Sequence, residues 1–163
     1  MLKRVQTLKR KDAGRSGAFA IVASRYNRRY VDSMLNAARR CLEGAGAIDV
    51  RVVRVPGAYE IPVVAARLAK RDGEPLSAII CLGVILRGQT THAQHIGEAV
   101  TFALTELQIR HGIPIIHEVL LLENEEQAKV RCLSRDHNRG TEAAQTALEM
   151  AWVIRNLNDS QAR

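Results

Sequence analysis

Four apolar runs of strand length, each followed by a stretch of helical period, dictate what this chain of 163 residues folds into. The runs are 17–24 (GAFAIVAS), 49–55 (DVRVVRV), 77–84 (SAIICLGV) and 113–122 (IPIIHEVLLL). After the first, Val31, Met34, Leu35, Ala38, Cys41 and Leu42 recur at the i, i+3, i+4, i+7 spacing of one helix face, and Gly44 and Gly46 close it. After the second, Pro56-Gly57 turns the chain into a helix expected over about 59–71, with Pro62 tolerated in its first turn. The third leads into a helix over 91–111, stopped by Gly112 and Pro114. Two helices finish the chain, a short one near 125–132 and a long one over about 141–157.

The third run is apolar on both faces. A strand buried on both sides needs a helical layer above and below, and that is the habit of parallel sheets. Right-handed crossovers then give an α/β, flavodoxin-like three-layer sandwich: a four-stranded parallel sheet covered by helices on both faces. Such sheets bind ligands at the carboxyl ends of their strands. Chemistry is therefore sought in the residues directly after each run.

The length suits one domain, read here as residues 17–163 behind a basic arm at 1–16. Residues 1–15 hold Lys3, Arg4, Lys9, Arg10, Lys11 and Arg15 against Asp12, a net +5 of the whole-chain +7. The body is nearly neutral and lacks a basic face, so a nucleic acid is not an expected partner. No run reaches the roughly 18 apolar residues of a membrane helix, and the first residues lack the apolar stretch of a secretory leader. A cytoplasmic protein without a membrane partner is expected. The three cysteines, Cys41, Cys81 and Cys132, lie too far apart for a metal spacing and read as buried free thiols.

Arg25-Tyr26-Asn27 follows the first run and Pro56-Gly57-Ala58-Tyr59-Glu60 the second. Two of only six aromatic residues, Tyr26 and Tyr59, thus fall at this edge, beside the amide of Asn27 and the carboxylate of Glu60. A flat apolar face with hydrogen-bonding neighbours suits a planar heterocycle, although ordinary loop tyrosines fit as well. The third run ends in Ile85-Leu86-Arg87-Gly88-Gln89-Thr90-Thr91-His92. Gly88 permits close backbone approach, Thr90 and Thr91 suit a helix start, and free N–H groups there attract a phosphate. His92, in the first turn, can exchange protons near neutral pH. His92 and His95 are one turn apart, but no third ligand is evident, so no metal is expected.

The strings VPGAYEIP at 55–62 and LGVILRGQTTH at 82–92, Glu126-Gln127-Ala128 with Arg131, and NRGTEAA at 138–144 followed by Glu149-Met150 resemble one family. It is lumazine synthase (6,7-dimethyl-8-ribityllumazine synthase), the penultimate enzyme of riboflavin biosynthesis. The resemblance runs in order from about 18 to 157. It implies the same sandwich, and condensation of 5-amino-6-(D-ribitylamino)uracil with 3,4-dihydroxy-2-butanone 4-phosphate, without cofactor or metal. It implies that Tyr26 stacks on the pyrimidine, with Asn27 beside the ribityl chain. Ala58, Tyr59 and Glu60 would line the ribityl and ring pocket, and Val84, Ile85 and Leu86 would pack on the ring. Gly88, Gln89 and Thr90 would hold the phosphate, with Arg131 reaching in from an adjacent subunit, and His92 would shuttle protons. His117 and Arg139 would meet the ring from that neighbour. Members form cyclic pentamers, some packed into icosahedral shells. The spacing from Arg131 to Arg139 carries no added residues, as in shell-forming relatives.

Departures from the family pattern are local. His117 and Glu118 replace an aromatic–glycine pair, Ala93 and Gln94 replace an aromatic and a carboxylate, and Leu121-Leu122 replaces a threonine-rich stretch. Two other readings remain at this level. One is a riboflavin synthase of similar build, which would need no phosphate loop. The other is an inactive or weakly active paralogue kept as a shell or ligand-binding protein.

Overall fold

A computed structural model describes residues 17–70 and 73–161. The basic arm lies outside the described residues. The strands are β1 (Ala18–Ser24), β2 (Asp49–Val55), β3 (Ala78–Leu86) and β4 (Ile115–Leu122). The helices are α1 (Arg28–Gly44), α2 (Ile61–Ala69), α3 (His92–His111), α4 (Glu125–Ala128) and α5 (Arg139–Gln161). A 3-10 turn, Ala58–Glu60, precedes α2, and a π-helical turn, Lys129–Leu133, follows α4.

All strand pairs are parallel, in the order β2-β1-β3-β4. This is the doubly wound, flavodoxin-like arrangement expected from the alternating pattern. The central strands carry apolar side chains on both faces and are buried almost throughout. On one face Phe19, Ile21, Ala23, Ile80 and Leu82 pack against α1 and α5. On the other Ala20, Val22, Ile79 and Cys81 pack against α2 and α3. β2 is an edge strand, and its exposed Asp49 and Arg51 keep that edge from pairing further.

Boundaries shift for local reasons. The helix expected over 59–71 divides, because the Glu60 carboxylate accepts from the Gly57 N–H at 2.8 Å and tightens the first turn into a 3-10 form. The short helix near 125–132 opens from α to π winding at Lys129. The last helix begins at Arg139, two residues before the expected start. There the Asn138 carbonyl oxygen Oδ1 accepts from the Gly140 N–H at 2.9 Å. Gly140 sits so close to α1 that a β-carbon would come within 2.0 Å of the Met34 carbonyl oxygen. Gly112 closes α3 at φ 60°, a left-handed stop that glycine adopts freely. Cys81 and Cys132 are buried, whereas Cys41 is half-buried, and all three are free thiols. Among the described residues no helix is long and apolar enough to cross a membrane.

Candidate active site

The carboxyl ends of β1, β2 and β3 and the first two turns of α3 enclose a cavity of about 870 Å3. Tyr26 comes from the β1 end, Ala58, Tyr59 and Glu60 from the β2 end, and Val84, Ile85 and Leu86 from β3. Gly88, Thr90 and His92 complete the wall where α3 begins. Three stretches far apart in sequence thus meet because parallel strands deliver their ends to one edge.

Tyr26 and Tyr59 are 72% and 64% exposed, unusual for large aromatic side chains and suited to covering a flat ligand. Asn27 holds the Tyr26 loop in place. Its backbone is left-handed (φ 53°), and its Nδ2 donates to the Val84 carbonyl at 2.8 Å. Asn27 therefore braces the wall through its Nδ2. Glu60, through its bond to Gly57, fixes the turn that carries Tyr59.

At the α3 end the helix leaves its first N–H groups without intrahelical acceptors. The first helical bond runs from the His95 N–H to the Thr91 carbonyl, at 3.1 Å. The His92 N–H has only a long contact, 3.4 Å, to Thr90 Oγ1. Thr91 is the N-cap residue but makes no side-chain cap bond. The N–H groups of Ala93 and Gln94 therefore stay open, backed by the dipole of a 20-residue helix. A β-carbon on Gly88 would meet nothing within 4 Å, so that face of the loop opens toward the cavity. Among the described residues, no Lys or Arg lines the cavity.

The same helix face adds Ala93, His95, Ile96 and Ala99 to the lining, residues that sequence reasoning did not select. Stepping along α3 from His92 by three or four positions finds all but Ala93. Gln94 points elsewhere: its Nε2 donates to Glu98 Oε1 at 2.8 Å. Both residues line a second groove of about 650 Å3 beside β4, with Thr101, Phe102 and Leu121.

Gln89, His117, Arg131 and Arg139 do not line the cavity of their own chain. Gln89 is exposed on the loop before α3. His117 faces α3, its Nε2 2.8 Å from Thr101 Oγ1 and its Nδ1 accepting from the Val119 N–H at 3.3 Å. Thr101 in turn donates to the Gly97 carbonyl at 2.7 Å, so the His117 proton sits on Nε2 and is donated to Thr101. Burial holds the His117 imidazole below the usual histidine range. Arg131 lies on the π turn packed against α1 and α5 and forms no salt bridge among the described residues. Arg139 donates to both Glu118 oxygens, from Nε at 3.0 Å and Nη2 at 2.9 Å, and its Nη1 pairs with Glu142 at 2.7 Å. Among the described residues, no three His, Cys, Asp or Glu side chains gather as metal ligands.

A model of the family described as 6,7-dimethyl-8-ribityllumazine synthase matches residues 16–155. A protein of that name from Stenotrophomonas maltophilia (strain R551-3) is 40% identical over 144 residues, 87% of this chain and 92% of its own length. One from Kineococcus radiotolerans is 41% identical over 140 residues, covering 85% of each chain. One from Xanthomonas campestris pv. campestris (strain B100) is 42% identical over 143 residues, 85% of this chain and 90% of its own.

Proposed function

This chain belongs to the 6,7-dimethyl-8-ribityllumazine synthase family, and we propose that the cavity at its strand ends is the seat of that reaction. The protein is a transferase of riboflavin biosynthesis. It joins 5-amino-6-(D-ribitylamino)uracil to 3,4-dihydroxy-2-butanone 4-phosphate, giving the lumazine, inorganic phosphate and two waters. The observation that carries the placement is the amino end of α3 opening into the cavity beside Gly88, Thr90 and His92.

The steps demand little beyond proximity and proton transfer. The 5-amino nitrogen adds to the ketone, and the carbinolamine loses water to give an imine. A proton then leaves the carbon next to the imine and phosphate leaves from the carbon beyond, giving an enol. The enol becomes a methyl ketone, the ribitylamino nitrogen attacks it, and the second water leaves. Holding both substrates in register removes up to roughly 7–11 kcal/mol of barrier. Tyr26 covers the pyrimidine from one side, and Val84, Ile85 and Leu86 form the apolar wall opposite. Ala58, Tyr59 and Glu60 flank the ribityl chain. Asn27 keeps its Oδ1 for a ribityl hydroxyl, since Nδ2 already braces Val84.

The phosphate docks on the open N–H groups at the start of α3, with Gly88, Gln89 and Thr90 around it. His92 stands in the same turn and moves the protons of dehydration and elimination, a contribution of roughly 10²–10⁴-fold. A dianion in a cavity that no cation lines among the described residues calls for a counter-charge from elsewhere. Arg131, outside the cavity of its own chain, supplies it from an adjacent subunit, and His117 and Arg139 of that subunit face the heterocycle. The family is one of oligomeric assemblies. The open flank of α3 supports the same for this chain: only Ala93, Val100 and Leu104 of its residues are buried, and Phe102 and Ile109 stand 73% and 76% exposed. The assembly we propose is a cyclic pentamer, packed further into a shell and located in the cytoplasm. Sedimentation distinguishes these sizes, and a stable monomer would exclude a shared site.

The direct test mixes both substrates with purified protein and follows lumazine absorbance and free phosphate together. The expected result is one phosphate per lumazine. Lumazine absorbance without phosphate, or neither, would overturn the assignment.

A further inference from the structure

A charged clamp brackets the turn that carries Tyr26. Arg54, on β2, sits in register with Ala23 of β1, and its guanidinium reaches two other elements. Its Nη2 donates to the Ser24 carbonyl, at the end of β1, at 2.8 Å. Its Nη1 donates to Asp32 Oδ1, near the start of α1. Arg28 Nε takes the other oxygen of that carboxylate, donating to Asp32 Oδ2 at 2.9 Å. Arg54 and Asp32 are both half-buried. Ser24 is buried, and its hydroxyl makes a long contact, 3.5 Å, to the Tyr26 carbonyl. The Arg25 and Tyr26 N–H groups donate to the Val55 and Pro56 carbonyls at 2.8 and 3.0 Å. One guanidinium therefore ties β1, β2 and α1 together around residues 25–27. Its Nε is buried without an acceptor among the described residues, so part of what its bonds gain for the fold is given back.

The Tyr26 ring has little packing of its own, because it stands largely exposed at the cavity wall. Its direction is set by the backbone of the turn, which runs between two anchors. Asn27, left-handed and bonded to Val84, is the anchor toward β3. Arg54, through Ser24, is the anchor toward β2 and α1. A ring already held in place loses less freedom when a ligand settles against it, and that saving appears as affinity. We propose that Arg54, held by Asp32, is a positioning residue for the pyrimidine substrate: it fixes the end of β1 so that Tyr26 stands one flat ring away from the wall of Val84, Ile85 and Leu86. The proposal rests on the reading above that Tyr26 covers the pyrimidine. Arg54 acts through Ser24 and Tyr26 and not on the substrate itself. The phosphate seat at the start of α3 is built from other elements, so the effect is confined to the heterocycle.

Arg54→Met keeps the apolar stem and removes both bonds, while Asp32 keeps Arg28 as its partner, so no carboxylate is left unpaired. In steady-state assays of the assembled protein, its KM for 5-amino-6-(D-ribitylamino)uracil should rise about fivefold or more, the scale of one hydrogen bond. Its kcat and its KM for the phosphate-bearing substrate should stay within about twofold of wild type. A double-mutant cycle separates positioning from general loosening. Added to Tyr26→Leu, Arg54→Met should change the uracil KM by less than about twofold, because an effect carried by the tyrosine ring disappears with it. A folded, assembled Arg54→Met protein with the wild-type uracil KM would overturn the proposal. So would a rise that persists in full beside Tyr26→Leu, or an equal rise in both KM values. If Arg54→Met does not assemble, Asp32→Ala, which leaves β2 intact, decides: the same selective rise is expected, and wild-type values contradict it. Absence of turnover in the wild type would defeat the functional reading instead. Hydrogen exchange at the Arg25 and Tyr26 amides then reads the clamp without substrate, with faster exchange expected in Arg54→Met; equal exchange would overturn the proposal.

Discussion

Asn138→Ala probes the joint that presents Arg131. Asn138 is 7% exposed, and its Nδ2 donates to the Cys132 carbonyl at 2.6 Å and to Ser33 Oγ at 3.3 Å. Its Oδ1 accepts from the Gly140 N–H, which opens α5. One side chain therefore ties the π turn carrying Arg131 to α1 and to the start of α5. Truncation leaves the buried Gly140 N–H without this acceptor, while the Cys132 carbonyl keeps its bond from Ser33 Oγ at 2.7 Å. An orphaned buried donor costs about 1–3 kcal/mol and the lost Cys132 bond about 1, or about 2–4 kcal/mol together. For a chain of this size that lowers Tm by roughly 4–16 °C. Thermal unfolding at one fixed protein concentration reads it, because an oligomer's Tm depends on concentration. Loosening the π turn also moves Arg131, so the KM for the phosphate-bearing substrate should rise about tenfold with little change in the KM for the uracil compound. An unchanged Tm would refute the energetic argument. A lowered Tm with an unchanged phosphate-substrate KM would show that this joint does not present Arg131 to the site.

Arg131→Ala should raise the KM for the phosphate-bearing substrate roughly 10–100-fold, the scale of one charged hydrogen bond, in steady-state assays with the other substrate saturating. His92→Asn should lower kcat by roughly 10²-fold or more and leave both KM values nearly unchanged, as expected for a group that moves protons and does not anchor substrate. Gly140→Ala sets a β-carbon 2.0 Å from a backbone oxygen that no rotamer change can move. α1 and α5 must part, and soluble yield or Tm should fall by the equivalent of about 3 kcal/mol or more. Burial pushes the Glu118 carboxyl up to about 7 from an ordinary value of 4.5, against the opposing pull of Arg139. The native state therefore favours protonated Glu118. That stabilisation is complete below pH 4.5 and fades as pH rises through about 7, so across this window Tm should fall in the wild type relative to Glu118→Gln.

The strand ends were legible because two regularities coincide. Residues 77–84 read as a strand from their unbroken apolar character, and parallel topology then assigns Tyr26, Tyr59 and the 85–92 stretch to one edge without any contact being known. The lining by His95, Ile96 and Ala99 follows from helical periodicity once His92 is placed, but composition alone gives no reason to look there. Other features depend on partners distant in sequence. Asn27 shows nothing in its own stretch of its bond to Val84, 57 residues away, and Arg139 nothing of its bond to Glu118, 21 residues back. The π turn at Lys129–Leu133 is equally invisible in propensity. It is shaped by Ser33 and Asn138, which hold the Cys132 carbonyl from two sides.

Co-assembly of two defective variants tests whether one site is built from two chains. Arg131→Ala subunits keep an intact cavity with His92, and His92→Asn subunits keep an intact Arg131. Each variant alone should be nearly inactive. After unfolding and refolding together in equal amounts, about a quarter of the interfaces in a ring should pair an intact cavity with an intact arginine. Turnover near a quarter of the wild-type value is the expected result. Mixed assemblies no more active than the two parents, with subunit exchange confirmed by mass, would place Arg131 and His92 in separate functions.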